Sequence, residues 1–306
     1  MRSRGSAIYD WNQCRRLYGL RWIDGWESKL PDVHLLTGTL VHTGLAHLYT
    51  PRPDGAPVTL EAALHAIYEQ AQSTTQVQKL SMNQVEIVEN AHKLACTMLT
   101  AYWQHYVVNF SDSREWATTH VEAPFEIKIS ERHTLTGTID RIAQHVNGDL
   151  VVWEHKTTSD TRQEYDDAAS FRWQTYGYML GARKILGAWP KYVLYNILGK
   201  PTIRGSKKES RDEYYQRCLA EYLAAPTSFF RRVPVRVGKA TLQEYMRHMK
   251  VVLDEMEDTP RSDYYTNDGN CIRGHGKACQ FLETCAAGAP SPNERLFDRT
   301  HEVMSV

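Results

Sequence analysis

The spacing of apolar and polar residues changes along the chain and predicts a helical first part followed by a mixed part. Apolar side chains recur three or four residues apart through the first 110 residues, which is typical of helices that pack against a core. We therefore predict helices at 7–22, 36–49, 59–72 and 76–109, with a Pro/Gly-rich loop at 51–57.

Strand-like alternation begins near residue 118 and continues into a hairpin. Helices and strands then follow one another to about residue 257. The predicted elements are a strand from 118, the hairpin at 135–156, a helix at 165–186, a strand at 190–198, a helix at 212–224, a strand at 228–237 and a helix at 239–257. Residues 286–306 lack both patterns and predict a loosely packed end.

The hairpin at 135–156 carries the candidate chemistry. Asp140 lies on its first strand, and Glu154 and Lys156 lie two residues apart at the end of its second strand, therefore on one face. Acids buried beside a lysine are costly unless they are paired or bind a metal ion. Two carboxylates favour Mg²⁺ or Mn²⁺, and a lysine can offset charge that develops on a phosphate, so the set indicates metal-dependent phosphodiester hydrolysis.

The length of the hairpin loop decides whether these side chains share a face. A two-residue Asn-Gly turn would pair Asp140 with His155 and place Asp140 and Glu154 on opposite faces. A three-residue loop at 147–149 would pair Asp140 with Lys156 and bring all three functional side chains together. We therefore predict an odd loop length or a bulge, against the usual preference of Asn-Gly.

The composition is that of a soluble globular protein. The chain has 306 residues, 42% hydrophobic and 24% charged, with a formal net charge of zero. Any nucleic-acid contact must therefore come from a local basic patch, such as the one formed by Arg204, Lys207, Lys208 and Arg211. There is no apolar run long enough to cross a membrane and no apolar segment of a signal peptide, so we expect a cytoplasmic protein without membrane contact.

The six cysteines include three that crowd into a short, Gly-rich and charged stretch near the C-terminus. Cys271, Cys279 and Cys285 are separated by seven and five residues. In a chain without a secretion signal, such a group indicates a metal or cluster site and not a disulfide framework. Cys14, by itself, would be a buried structural cysteine, and His42 would be a satisfied polar group near a core helix.

A series of motifs follows in sequence order: a helix with Cys14, a helix with Gly38-Thr39-Leu40-Val41-His42, Glu122 on a strand, Gly137-Thr138-Ile139-Asp140-Arg141, Glu154-His155-Lys156-Thr157, Gln174-x-x-x-Tyr178 and the three late cysteines. Their order resembles that of the PD-(D/E)XK nucleases of the RecB/Cas4-like branch, which include phage-encoded exonucleases with an iron–sulfur cluster. The resemblance covers roughly residues 8–286.

The resemblance implies roles for the matching residues. His42, Asp140 and Glu154 would bind Mg²⁺ or Mn²⁺, and Lys156 would be the catalytic lysine. The remaining implied residues are an upstream acid, Glu122, and the pair Gln174 and Tyr178 on a helix beside the site that touches DNA.

The resemblance also implies a [4Fe–4S] cluster held by one early and three late cysteines. Cys14, Cys271, Cys279 and Cys285 match this pattern. The seven residues between the second and third cysteines depart from the closer spacing that is frequent in the family. His275 could instead complete a Cys₃His zinc site, the less favoured alternative.

The implied fold is α/β, a restriction-endonuclease-like mixed sheet flanked by helices, with a helical N-terminal region and a C-terminal Fe–S clasp. We expect a single nuclease unit over 1–306, made of a helical N-terminal region at 1–110, a catalytic core at 111–200, a C-terminal α/β extension at 201–265 and a cysteine-rich tail at 266–306 that closes the cluster site with Cys14.

The function that follows is a metal-dependent DNA exonuclease in phage or bacterial DNA recombination, repair or processing. Its substrate would be single-stranded DNA or the end of double-stranded DNA. No Walker-type phosphate loop is present, so ATP-driven unwinding would need a helicase or recombinase partner. The alternatives are a non-catalytic DNA-binding or complex-assembly subunit with an Fe–S cluster, and an iron–sulfur redox protein.

Overall fold

The computed structural model of the chain describes residues 1–29, 32–52, 58–78, 80–109, 112–160, 166–273 and 277–300. For residues 76–78, 273 and 277 it describes the backbone alone. Most of the predicted loop at 51–57 and the alternative zinc ligand His275 lie outside the described residues.

Helices dominate the first part of the described chain, as the periodicity predicted. The α-helices are α1 Gly5–Gln13, α2 Arg15–Tyr18, α3 Val33–Tyr49, α4 Leu60–Gln78, α5 Met82–Tyr102, α6 Asp112–Glu115, α7 Trp173–Leu186, α8 Arg211–Ala224, α9 Pro226–Phe229, α10 Lys239–Asp258 and α11 Leu282–Ala286. Single π-helical turns follow α2 and α5 at Gly19–Ile23 and Trp103–Asn109, and 3₁₀ turns lie at Ala168–Phe171, Arg261–Asp263 and Asp268–Asn270.

Most strands lie in the middle of the chain. They are β1 Arg2–Arg4, β2 Trp26–Ser28, β3 Trp116–Lys128, β4 Thr134–His145, β5 Leu150–Thr158, β6 Tyr192–Gly199, β7 Phe230–Val235, β8 Ile272–Arg273, β9 Lys277–Ala278 and β10 Phe297–Arg299. Each strand predicted by alternation is present.

The chain divides into two compact units, and β3 and β4 run through both. The terminal unit comprises Met1–Leu30, Glu126–Gly137 and Gly238–Val306, and the core unit comprises Pro31–Phe125 and Thr138–Val237. That the chain acts as a single nuclease unit stays a prediction.

A mixed sheet forms the centre of the core unit. Strand β5 pairs antiparallel with β4 and parallel with β6, and β6 pairs antiparallel with β7. Strands β5 and β6 are buried on both faces, which is why their sequences read as nearly continuous apolar runs. Helices cover the sheet, so the mixed α/β fold class predicted from the sequence is confirmed.

Helices α3, α4 and α5 pack together through a large apolar cluster in the core unit. Gly44 on α3 permits their close approach, because a Cβ at this position would lie 2.7 Å from atoms of both Ile67 and Leu99. The packing fixes the position of α3, the helix that carries His42.

The hairpin loop has three residues, so the prediction of an odd loop is confirmed, but its predicted position at 147–149 is wrong by one residue. The amide of His145 donates to the carbonyl of Asp149 (2.9 Å), and the amide of Gly148 donates to the carbonyl of His145 (2.8 Å). Gly148 has φ +90°, the left-handed conformation that closes a three-residue hairpin loop and that glycine adopts readily. The loop therefore comprises residues 146–148.

The terminal unit differs from the sequence prediction at both ends of the chain. The expected helix at 7–22 is interrupted at Cys14, whose backbone is extended (φ −167°, ψ 120°). The expected loose end at 286–306 instead contains strand β10, which pairs with β2. Phe297 on β10 is buried and stacks on Phe281, with ring centroids 5.2 Å apart. Burial of this aromatic pair removes a large apolar area from water and so stabilises the position of β10.

Every helix within the described ranges is too short or too polar to cross a lipid bilayer.

Candidate active site

Strands β4 and β5 place two acidic side chains opposite each other in the core unit. Arg141 pairs with Trp153 in the antiparallel ladder. Extended by one position, this register sets Asp140 opposite Glu154, whereas the sequence had predicted Lys156 opposite Asp140. Directly opposite residues share a face of the sheet. Both acids are buried, with exposed fractions of 8% for Asp140 and 1% for Glu154.

Helix α3 brings a histidine to the same acids. The side chain of Asp32 caps the first turn of α3 by accepting from the amides of His34 and Leu35. Further along this helix, Nδ1 of His42 lies 3.7 Å from Oδ2 of Asp140.

Glu122 lies on β3, which also pairs with β4. Its φ of +45° is an uncommon conformation for a residue with a Cβ, and such strain persists where the surrounding structure enforces it. Ligand atoms of His42, Glu122 and Asp140 all lie within 4.8 Å of one another. The structure therefore groups Glu122 with His42 and Asp140, whereas Glu154 lies beside this group.

The donor set fits a divalent cation. Imidazole nitrogen and carboxylate oxygens are ligands that Mn²⁺ accepts, and Mg²⁺ prefers the oxygens. Among the described residues, Oε2 of Glu154 is buried and has no hydrogen-bond partner, a costly arrangement that a cation would relieve. His42, Glu122, Asp140 and Glu154 are thus the residues that could hold the ion.

The charges at the site also favour a cation. Burial, together with the charge of Glu154, raises the pKa of Asp140 well above its usual range, because two buried carboxylates repel each other. Burial and the charge of Glu154 likewise raise the pKa of Glu122. Burial lowers the pKa of His42, so its ring is neutral at pH 7 and can ligate a metal.

Lys156 is held at the site by two neighbours, one of which is itself held by Tyr178. Its ammonium forms an ion pair with Glu154 and donates to Oε1 of Gln174 (2.9 Å), while Nε2 of Gln174 donates to the hydroxyl of Tyr178 (2.8 Å). Burial alone would lower the pKa of Lys156, but the charge of Glu154 outweighs it and the pKa is raised. The side chain therefore stays charged and oriented.

A second layer of residues, which the sequence did not predict, holds Asp140 in place. The amide of His155 donates to Oδ2 of Asp140 (2.7 Å), and Nδ1 of His155 lies 2.9 Å from Nδ2 of Asn196. The ring of His155 stacks on Tyr49, with an interplanar angle of 10°. The available signal was alternation, which points His155 away from Glu154 and into the sheet's other face.

A cation–π pair follows the acid pair in the same register. The guanidinium of Arg141 lies 4.3 Å from the ring centroid of Trp153 and 3.7 Å from that of Tyr49, and Arg141 is almost fully buried. If the hairpin slipped by one residue, the guanidinium of Arg141 would lose its contacts with these rings and would lie without a partner in apolar surroundings. The pair therefore stabilises the register that places Asp140 opposite Glu154.

The four cysteines named in the sequence analysis surround one small cavity in the terminal unit. Cys14 lies at the break between α1 and α2, and Cys271, Cys279 and Cys285 line the same cavity. The amide of Asn267 donates to Sγ of Cys14 (3.4 Å). Buried apolar residues pack against three of the thiols, namely Leu17, Leu20, Trp26, Phe281 and Phe297.

The predicted site residues thus fall into two groups. The core unit brings together His42, Glu122, Asp140, Glu154, Lys156, Gln174 and Tyr178. The terminal unit brings together Cys14, Cys271, Cys279 and Cys285. Cys96 packs against the apolar cluster of the core unit, and Cys218 is fully buried.

The geometry defines a class of metal-dependent hydrolytic site, and comparison with known proteins identifies the family. The family model of the PD-(D/E)XK nuclease superfamily matches residues 6–286, and the chain therefore belongs to this superfamily. Membership implies a metal-dependent nuclease. A search of curated proteins gives no match. The crystal structure of SSO0001 is 14% identical over 74% of this chain and 76% of that chain, with a TM-score of 0.28.

Proposed function

We propose that the protein is a Mg²⁺- or Mn²⁺-dependent DNA exonuclease of the RecB/Cas4-like branch, which acts in phage or bacterial DNA recombination, repair or processing. The observation that carries the nuclease part is the convergence of His42, Glu122 and Asp140 beside the Glu154–Lys156 ion pair. Cleavage from an end of single- or double-stranded DNA rests on the resemblance of the motif series.

The side chains have separable roles in this proposal. The bound ion would polarise the scissile phosphate and lower the pKa of a water molecule. Lys156 donates hydrogen bonds to that water or to the phosphate oxygens, where negative charge develops. Gln174 and Tyr178 keep the lysine in place, and His155 keeps Asp140 in place through its amide.

We also propose that Cys14, Cys271, Cys279 and Cys285 hold a [4Fe–4S] cluster. Two features support a cluster over a single zinc ion. Within the described part of the chain, no three thiols come within 4.8 Å of one another, whereas tetrahedral Zn–S bonds of about 2.3 Å bring sulfurs to about 3.8 Å. The apolar surroundings and the N–H···S hydrogen bond to Cys14 suit a cluster ligand.

The nuclease proposal is tested by separating metal binding from chemistry. Asp140→Asn should lose both Mn²⁺ binding, measured by calorimetry, and DNA cleavage. Lys156→Met should keep Mn²⁺ binding and reduce cleavage by on the order of a hundredfold or more, since it removes one preorganised contact to developing charge. Asp149→Asn, in the same hairpin but outside the site, should change neither quantity.

Comparison of linear and circular single-stranded DNA tests the requirement for an end. Cleavage of circles as fast as linear strands would contradict exonuclease action. Binding without cleavage of any DNA in Mg²⁺ or Mn²⁺ would favour the non-catalytic DNA-binding subunit instead.

A further inference from the structure

Helix α3 passes the middle of β4 and the ends of β5 and β6 beside the candidate active site. His42 meets Asp140 of β4. Four residues earlier, a Cβ at Gly38 would lie 3.1 Å from Oγ1 of Thr157, which directly follows β5's catalytic lysine. A further four residues earlier, His34 meets Lys200, the residue that directly follows β6.

Lys200 is a buried cation without a carboxylate partner. Its exposed fraction is 7%, and its backbone amide donates to the carbonyl of Thr158 at the end of β5 (2.7 Å). The ammonium lies 3.2 Å from the carbonyl oxygen and 3.3 Å from Nδ1 of His34. In the described part of the chain, no acidic side chain pairs with it. A buried ammonium is costly unless an anion compensates it.

We infer that Lys200 and His34 form a binding subsite for a backbone phosphate of the nucleic-acid strand. Along α3, the contact of Gly38 with Thr157 lies between this subsite and the candidate active site. This inference deepens the proposed function and rests on it. The ammonium has three donors and uses two on His34, so one is left for a phosphate oxygen. Because Nδ1 of His34 accepts from Lys200, the imidazole proton resides on Nε2, a second donor on an exposed side chain.

The spacing along α3 suits a strand that runs from the catalytic site to this subsite. Eight helical residues separate His42 from His34, or about 12 Å. At about 3.4 Å per stacked nucleotide, the subsite would take a phosphate three or four nucleotides from the cleaved bond. Glycine at position 38 costs helix stability relative to alanine, and it leaves room between α3 and the end of β5.

The chain beyond Lys200 extends the basic surface. Arg204, Lys207 and Lys208 are exposed, and among the described residues none of them forms an ion pair. Arg211, which the sequence grouped with them, is instead paired with two carboxylates, those of Glu86 and Glu89. The basic side chains that remain available therefore lie between Lys200 and the start of α8, where a strand leaving the subsite could continue.

The test measures binding of a fluorescent single-stranded oligonucleotide in EDTA, which suppresses cleavage, over a range of salt concentrations. Lys200→Met should weaken binding about tenfold, the loss of one charge-assisted hydrogen bond. It should also reduce the slope of log K against log salt by about 0.7. Lys200→Arg should retain most of the slope because arginine keeps the charge.

Lys191→Met is the matched control, because Lys191 is exposed and precedes the opposite end of β6. It should leave affinity and slope unchanged. Lys200→Met should melt at or above the wild-type temperature, since it removes an uncompensated buried charge. An unchanged slope in Lys200→Met, or a lowered melting temperature with unchanged affinity, would mean that the lysine is structural and would overturn the subsite.

Inorganic phosphate distinguishes a strand phosphate from a free one. Phosphate alone should not stabilise the wild-type protein against heat more than it stabilises Lys200→Met. A phosphate-dependent shift that Lys200→Met abolishes would overturn the assignment to a nucleic-acid strand. Oligonucleotide binding in EDTA is measured without cleavage. A protein that fails to cut DNA in Mg²⁺ or Mn²⁺ would therefore contradict the proposed function, and the subsite could still be tested.

Discussion

At the scale of single residues, two lysines, one on β5 and one directly after β6, show how context sets the charge of the same side chain. Lys156 is half-buried, but the charge of Glu154 more than offsets the effect of burial and raises its pKa. Lys200 is buried without such a partner, and burial lowers its pKa from 10.5 to about 8. His34 is the titratable side chain that contacts it. Lys200 therefore reduces stability at neutral pH, a cost that sites of function can carry.

Lys200→Met should raise the melting temperature most below pH 8. There the lysine is charged in both the folded and the unfolded chain, so the full penalty of burying the charge applies. Between pH 8 and 10.5 Lys200 is deprotonated in the folded protein but still charged in the unfolded chain, so the free-energy cost of burying its charge declines. Thermal melts from pH 7 to 10.5 should show the gain shrinking toward zero, with Lys191→Met showing no such trend. A gain that grows with pH would contradict this sign.

Sequence order predicted which candidate side chains would lie close together, but it did not predict their backbone conformations. The motif series predicted which side chains would meet in the core unit, because alternation fixes the faces of β4 and β5. It did not predict that Glu122, the implied upstream acid, would adopt a positive φ. Nor did it distinguish Lys200, since the end of a strand becomes a site only when a helix from elsewhere in the chain lies across it.

At the scale of elements, helix α7 transmits packing to Lys156, the proposed catalytic lysine. Gln174 and Tyr178 lie one turn apart on α7, where Gln174 accepts from Lys156 and donates to Tyr178. Gly181, less than one turn further, lies against the ring of Phe125, and a Cβ at this position would be 2.6 Å from the ring. The distance between α7 and β3 is thus set by a glycine.

Gly181→Ala should displace α7 and reduce both stability and activity. Overpacking of this kind costs about 1–3 kcal/mol of unfolding free energy, and movement of Gln174 should lower kcat more than it raises KM. Urea unfolding and DNA cleavage kinetics measure the two effects. Gly205→Ala is the control, because its Cβ would meet atoms at the ordinary distance of 3.7 Å. Wild-type stability and kcat in Gly181→Ala would refute the argument.

Element types were predictable from periodicity, whereas interruptions were not. Helices were predicted at the positions of α3, α4 and α5, but the predicted break between residues 72 and 76 was wrong, because α4 continues to Gln78 and α5 begins at Met82. The break at Cys14 and the pairing of β10 with β2 depend on contacts between the two ends of the chain. Local sequence carries little information about such distant partners, and tertiary contacts then override local preference.

At the scale of the whole molecule, the two units divide the chemistry. The core unit contains the acids, His42 and Lys156, and the terminal unit contains the four cysteines. Cys14 and Cys271 are 257 residues apart in the sequence, so a shared cluster would close a very long loop. Closing such a loop removes conformational entropy from the unfolded chain.

Cys14→Ser should lose iron and visible absorbance while keeping Mn²⁺ binding at the core unit. By analogy with a covalent cross-link of this loop length, the free energy of unfolding should fall by up to about 5 kcal/mol. Iron analysis, absorbance of anaerobically purified protein and chemical unfolding measure these changes. Cys96→Ser, in the core unit, should retain the iron. Zinc in place of iron in the wild-type protein would contradict the cluster.

The three-residue loop of the hairpin has an evolutionary consequence. Deleting or inserting one residue between β4 and β5 would invert one strand relative to the other, turning Arg141 or His155 toward the ion and burying an acid behind the sheet. Length changes in this loop are therefore tolerable only in steps of two. Related sequences that retain nuclease activity should therefore preserve an odd number of loop residues, more than the identity of those residues.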